Sequence, residues 1–344
     1  MKALQYQRSG GPEVLEYTDV GDPLPDRRDV LIEVAATALN HLDVVQRNGW
    51  YQLPGFTYPH IAGMDVGGTV IDVGADVTLV KPGDRVVVDP SLTEVPEQSR
   101  LAGMGELYGK LGVIGGTVAG GYAERCLAPE THVHLLPETM GWHQAAAFPT
   151  AWMTAHHALF ATGGLRAGET VMIHAAGSGV STAAIQLAKH AGATVLATAG
   201  GELKCRRAIE IGADHTVNNR EADVGVWARE VTDGAGVDMV FDHVGPALWE
   251  SSLSALKPRG RLVNCGNTTG DTVSIPSLGV LFHMGLQILG SDAYRHEEFA
   301  SVWRLYCSSD FHAPIDSVFA LEDGAAAQDR LLRSEFFGKI LLEP

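Results

Sequence analysis

The sequence predicts a two-domain α/β protein in which a doubly wound parallel sheet accompanies a β-rich domain. From Glu169 to Cys265, strand-like and helix-like runs alternate around a glycine-rich turn, and such alternation calls for parallel strands joined by helical crossovers. Up to Pro90 the chain instead shows short β-rich runs separated by Gly, Pro and Asp turns. The length of 344 residues agrees with two domains, each of roughly 100–200 residues.

The β-rich part contains Val30–Val34 and Arg85–Asp89 as strands, and Tyr122–Ala128 as a further one. Between Pro90 and Gly121 the text is glycine-rich and nearly patternless, which predicts a long surface loop or lobe. The parallel part opens with strand Thr170–His174, the turn AAGSGVS, a helix, and strand Thr194–Thr198. A helix over Glu202–Ile211, strand Thr216–Asn218, a helix over Val224–Val231, and strands Val237–Phe241 and Arg261–Cys265 follow. The final segment mixes a helix-like run with β-rich Phe336–Leu342, and is expected to return to the first domain. The predicted boundaries are 1–150 with 290–344, and 151–289.

Composition narrows the function. There are 25 Lys+Arg against 41 Asp+Glu, a net charge of −16, and this mean field repels nucleic acids and anionic membranes. A small-molecule substrate is therefore expected, with no nucleic-acid and no membrane partner. Cys126, Cys205, Cys265 and Cys307 are scattered, without a Cys-x-x-Cys, so structural zinc and a disulfide framework are not expected. The first residues show no apolar signal-like run, and the most apolar later stretch, Gly279–Gly290, is short and broken by His283 and Gln287. A cytoplasmic protein with reduced thiols is the expectation.

The turn Ala176-Gly177-Ser178-Gly179-Val180-Ser181 lies between a strand and a helix, where small residues let the backbone approach a pyrophosphate at the helix N-terminus. Ala176, Ser178 and Ser181 stand where the strict fingerprint has glycine. At the tip of the second strand, Ala197-Thr198-Ala199-Gly200-Gly201 offers Thr198 as a cofactor contact but no acid to a ribose 2′-hydroxyl. Lys204 and Arg220 follow closely and could meet a 2′-phosphate, which favours NADPH over NADH.

Several segments together resemble the medium-chain dehydrogenase/reductase superfamily, in its zinc-free quinone oxidoreductase-like branch. They are Ala38–Asp43, Pro59–Gly68, Lys81–Arg85, the AAGSGVSTAAIQLAK turn and helix, Asp242–Gly245, and Phe337–Leu341. The resemblance spans essentially the whole chain. It implies a Rossmann domain and a GroES-like catalytic domain built from both chain ends, with the active site in a cleft between them. Zinc alcohol dehydrogenases of this superfamily hold their catalytic metal with a Cys, a Gly-His-Glu and a second Cys. Here Asn40, Met64 with Asp65, and Thr150 stand at those places, and amide, thioether and hydroxyl groups replace thiolate and imidazole poorly on zinc. Leu42 stands where those enzymes relay the alcohol proton, so no catalytic zinc is expected.

Without a Lewis acid, hydride transfer is easiest to a substrate whose conjugation delocalises charge, a quinone or an enone. The resemblance places Asn40 and Tyr51 at the substrate end of the pocket, Tyr51 as a hydrogen-bond or proton donor. It also places Val180 and its turn under the pyrophosphate, His243, Val244, Gly245, Gly266 and Asn267 along the ribose and nicotinamide, and Lys339 against a cofactor phosphate. The expected protein is a metal-independent, NADPH-dependent reductase of a quinone or α,β-unsaturated carbonyl. An alcohol or aldehyde dehydrogenase of the same superfamily, and a non-catalytic NADPH-binding sensor or scaffold, are the alternatives. A homodimer, or else a tetramer, is expected through the edge strand Thr272–Ile275.

Overall fold

Six parallel strands form the sheet of the central unit, Ala151–Tyr294. Across the sheet they run His215–Asn218, Thr194–Ala199, Thr170–Ile173, Val237–Asp242, Leu256–Asn264 and Gln287–Gly290. In chain order this is 3-2-1-4-5-6, so the direction of winding reverses between Thr170–Ile173 and Val237–Asp242. Ligands bind at the carboxyl ends of strands flanking such a reversal. The two central strands are almost wholly buried, which is why they read as continuous apolar runs rather than as alternation.

The computed structural model describes residues 1–92 and 112–344. Their second unit joins Met1–Thr150 to Arg295–Pro344, so the chain returns at Arg295 rather than at 290. Its larger sheet runs Val133–Leu135, Arg85–Val88, Asp65–Val73, Asp29–Ala38, Lys339–Glu343 and Ile315–Ala320, with Arg125–Pro129 also paired to Asp29–Ala38. The C-terminal strand pairs antiparallel with Asp29–Ala38, Leu341 opposite Ala38. That register sets Lys339 beside the residues that follow Ala38. A smaller sheet orders Glu16–Asp19, Lys2–Tyr6 and His60–Ile61.

The expected edge strand changes. Thr272–Ile275 is an exposed coil, and the sheet edge is Gln287–Gly290, which follows the helix Leu278–Met284 and its left-handed Gly285 cap. Pro276 closes the shorter run after only a few residues, whereas Gln287–Gly290 pairs along its full length with Arg261–Asn264. Most of the glycine-rich stretch, residues 93–111, lies outside the described residues. Its later part is tied down: Gly112–Val113 pairs with Ser91–Leu92, and the amides of Gly120, Gly121 and Tyr122 donate to the carbonyls of Ile61, Gly63 and Ala62. Among the described residues, no helix is long and apolar enough to cross a membrane.

Gly338 sets the direction in which Lys339 enters its strand. Its φ is +98°, and a Cβ would overlap the Pro314 carbonyl, which accepts from the Lys339 amide at 2.8 Å. Gly338→Ala is therefore expected to lower unfolding free energy by about 2 kcal/mol or more, read by denaturant titration; an unchanged midpoint would contradict this account.

Candidate active site

In the first unit a buried ammonium organises the expected site. Lys339 Nζ donates to Leu39 O at 2.8 Å, Asn40 Oδ1 at 2.8 Å and Asp65 Oδ2 at 2.9 Å. An ammonium has three donors, and all three are engaged. The expected contact of Lys339 with a cofactor phosphate is thus replaced by contacts within the protein, because the register of the last strand carries the side chain inward, where it is 5% exposed.

Asp65 is completely buried and answers that charge. Its Oδ2 also accepts from Asn40 Nδ2 at 2.9 Å, and its Oδ1 accepts from Thr150 N at 2.9 Å and Thr150 Oγ1 at 2.6 Å. Asn40 is consequently an internal bridge, its amide oxygen on Lys339 and its amide nitrogen on Asp65. This differs from the expected substrate-facing role, for both ends of the amide have protein partners. Tyr51 lies beyond the left-handed Gly49 cap of helix His41–Asn48, and is 48% exposed.

The donor set at these positions does not fit a catalytic zinc. Asn40, Asp65 and Thr150 are bonded to one another or to Lys339, and Met64 is a buried thioether. A cation placed there would face an ammonium, without the thiolate and imidazole ligands that zinc prefers. Below this network, Asp43 Oδ2 accepts from Asn40 N at 2.8 Å and from the Tyr122 hydroxyl at 2.9 Å. Burial pushes the Asp43 carboxyl up to about 6 despite these donors.

In the central unit the glycine-to-serine departures of the turn have a structural reason. Ser178 Oγ accepts from Ser181 N at 3.0 Å and so caps helix Gly179–His190. Ser181 Oγ donates to His174 O at 2.6 Å, and Ser178 Oγ donates to Ser181 Oγ at 3.1 Å. Both hydroxyl hydrogens are thereby engaged. His243 Nε2, 3.0 Å from Ser178 Oγ and 2.9 Å from Ser181 Oγ, must donate to them. The Gly179 and Val180 amides open the helix, where no carbonyl lies one turn earlier to accept them. Ala176 N donates to Thr198 O at 2.8 Å, which fixes the turn with Gly177 to the second strand. A helix N-terminus with open amides and a rigid turn fits a pyrophosphate.

Thr198 takes a different role from the one expected. It is fully buried, and its hydroxyl meets His174 Nδ1 at 3.0 Å, while His174 Nε2 meets Ser252 Oγ at 2.8 Å. Burial holds His174 neutral, with its pKa lowered to about 3. The Arg220 guanidinium lies against Gly200, where an added Cβ would come within 3.1 Å of Nε. Lys204 stands in the helix that opens from Gly201, Glu202–Glu210.

The loop His243–Gly245 is held by Asp242, a residue that the sequence reading did not assign. Asp242 Oδ1 accepts from Val244 N at 2.8 Å and Gly245 N at 3.2 Å. Asn264 Nδ2 donates to Gly266 O at 2.8 Å, and the Gly270 amide donates to Asn267 O at 3.0 Å, which braces the neighbouring loop. The signal in the sequence is an acid and an amide ending the adjacent strands Val237–Asp242 and Leu256–Asn264.

Two outcomes follow from the first-unit network. Lys339→Met is expected to cost about 3–5 kcal/mol in chemical denaturation by leaving Asp65 charged and unpaired, and adding Asp65→Asn should restore part of the loss. For Asp43, the native carboxyl binds its proton more tightly than the unfolded one, so its stabilisation is present below about pH 4 and is lost as pH rises through about 6. Unfolding free energies across that window should fall by an amount on the order of 2–3 kcal/mol from this group, and Asp43→Asn should flatten that part of the profile.

Comparison with known proteins agrees with this construction. The family described as "Alcohol dehydrogenase GroES-like domain" matches residues 26–138, and "Zinc-binding dehydrogenase" matches residues 179–308. A quinone oxidoreductase of Pseudomonas aeruginosa is 34% identical over 353 residues, covering 100% of this chain and 99% of the relative. A crystal structure of an NAD-dependent alcohol dehydrogenase has a TM-score of 0.92 at 36% identity, with 100% of both chains covered. The Escherichia coli quinone oxidoreductase complexed with NADPH has a TM-score of 0.86 at 27% identity, also with 100% of both chains covered. The chain is thus an oxidoreductase fold throughout its length, and it belongs to the medium-chain dehydrogenase/reductase superfamily, in the quinone oxidoreductase-like branch.

Proposed function

We propose that this protein is a metal-independent reductase that uses NADPH to reduce a quinone or an α,β-unsaturated carbonyl. The single observation that carries the reading is the Lys339–Asp65–Asn40 network, in which an ammonium and its hydrogen-bond partners take up the groups that would otherwise surround a catalytic metal. With no Lewis acid, the acceptor must delocalise charge through its own conjugation. Bound nicotinamide supplies the hydride. The chain's part is to hold the pyrophosphate at the Gly179 and Val180 amides, and to offer the Tyr51 hydroxyl to the substrate oxygen as charge develops.

The preference for NADPH is supported by Arg220 over Gly200 and by the absence of an acid at Ala197–Gly201. A guanidinium binds a 2′-phosphate through paired, charge-assisted donors and gains much less from a bare ribose hydroxyl. A homodimer is part of the proposal. The exposed edge Gln287–Gly290 and the neighbouring side chains of Val273, Ile275, Leu278, Val280 and Phe282 form apolar surface that a second copy would cover.

NADPH absorbance, followed in excess chelator with a quinone, an enone, an enoyl thioester and an aldehyde in parallel, tests the reading. Oxidation with a conjugated acceptor, undiminished by chelator, is expected. Turnover of the aldehyde alone, and only with added zinc, would replace it with the alcohol dehydrogenase reading that one structural relative's name suggests. Arg220→Ala should raise KM for NADPH about 10-fold to 100-fold and leave KM for NADH unchanged. Tyr51→Phe should lower kcat about 100-fold with little effect on cofactor binding; equal turnover by the variant would remove Tyr51 from the chemistry. Light scattering should give a dimer, and Phe282→Glu should shift it toward monomer.

A further inference from the structure

Three side chains distant in sequence meet in the first unit, apart from the Lys339 network. Asp89 follows strand Arg85–Val88, His132 ends the short turn Glu130–His132, and His296 opens the helix His296–Ser308. One ligand atom from each lies within 4.8 Å of the others, and among the described residues no other group of three or more His, Cys, Asp or Glu comes together in this way. Asp89 and His132 are buried, and His296 is half-buried.

Their hydrogen bonds show how they are oriented. His132 Nε2 lies 3.0 Å from Ser91 O; a carbonyl only accepts, so Nε2 carries the proton and Nδ1 holds a lone pair, facing the Thr131 hydroxyl at 3.0 Å. To ligate an ion His132 exchanges one of these two partners for it. His296 Nδ1 donates to Asp89 Oδ2 at 2.7 Å, while Asp89 Oδ1 accepts from Ser91 N at 3.0 Å. A proton now joins an imidazole and a carboxylate that an ion can join instead. The two imidazoles stack with centroids 4.1 Å apart. Two residues along, His134 packs on Phe299 of the same helix, and its Nε2 is buried with no hydrogen-bond partner.

We infer that Asp89, His132 and His296 bind one divalent transition-metal ion, zinc by preference, with water completing its coordination. Two imidazoles and one carboxylate form a donor set that zinc takes with an open position. Calcium and magnesium prefer oxygen throughout and are disfavoured here. The three ligands come from separate segments, so the ion fastens the start of helix His296–Ser308, where the chain re-enters the first unit, to strands Arg85–Val88 and Val133–Leu135. Its role is to hold structure, and it does not depend on which substrate is reduced.

The test uses the full chain, stripped with chelator and dialysed. Zinc titrated by calorimetry should bind at one ion per chain, cobalt should give a visible ligand-field band, and X-ray absorption of the zinc form should show nitrogen and oxygen at about 2.0–2.1 Å with no sulfur. His296→Gln, at a half-buried helix start, should weaken zinc binding about 100-fold or more while circular dichroism stays unchanged. His132→Gln with His296→Gln should abolish it. No binding by the parent chain at several-fold excess zinc would overturn the inference. So would undiminished binding by the double variant, or sulfur in the coordination shell.

Discussion

The buried pairing of Lys339 with Asp65 is the constraint around which the first unit is arranged. Taking both charges out of water costs several kcal/mol per ion, so the pair survives only where every lone pair and proton has a partner. Leu39 O and Asn40 Oδ1 complete the ammonium, and Asn40 Nδ2 with the two Thr150 donors completes the carboxylate. The end of strand Asp29–Ala38, the start of strand Asp65–Val73, the C-terminal strand and Thr150 are all fixed by one interaction. Asp43 extends it to Tyr122 beneath.

The central unit meets a comparable demand at its phosphate turn. Serine hydroxyls where glycine was expected leave two oxygens needing partners beside the phosphate turn. His243 answers both from the far side of the winding reversal, and the strand-end carboxylate of Asp242 fixes the loop that carries it. His174 lies behind them, kept uncharged by burial and held between Thr198 and Ser252. The turn is therefore held by the His243 ring and by the backbone carbonyls of His174 and Thr198, and its hydroxyls are part of that hold.

What the sequence disclosed was chiefly local. The runs Thr170–His174 and Val237–Phe241 and the AAGSGVS turn carry their own periodicity and composition, and the structure has each of them in place. Side-chain direction at a strand end is set by partners far along the chain, and there the reading failed: Lys339 looked like a phosphate ligand until its register against Ala38 turned it inward. Asn40 was expected at the substrate end of the pocket, but its amide bridges Lys339 and Asp65. The edge strand was misread because Thr272–Ile275 has β-type residues, while the hydrogen-bond partner belongs to Gln287–Gly290. Asp89, His132 and His296 stand far apart in the chain, with none of the short spacing that marks a metal site in sequence.

Lys339 also bears on how such a chain could change its chemistry over evolutionary time. Thiolates at 40 and 150 and an imidazole at 64 would not rebuild a zinc centre while the ammonium remains, because two cations would face each other in a dry pocket. Replacing Lys339 first strands the Asp65 carboxylate without its partner. Either order of mutation passes through a weakened fold, so the lysine works as a ratchet, and converting this pocket to a metal centre needs several substitutions to arrive together.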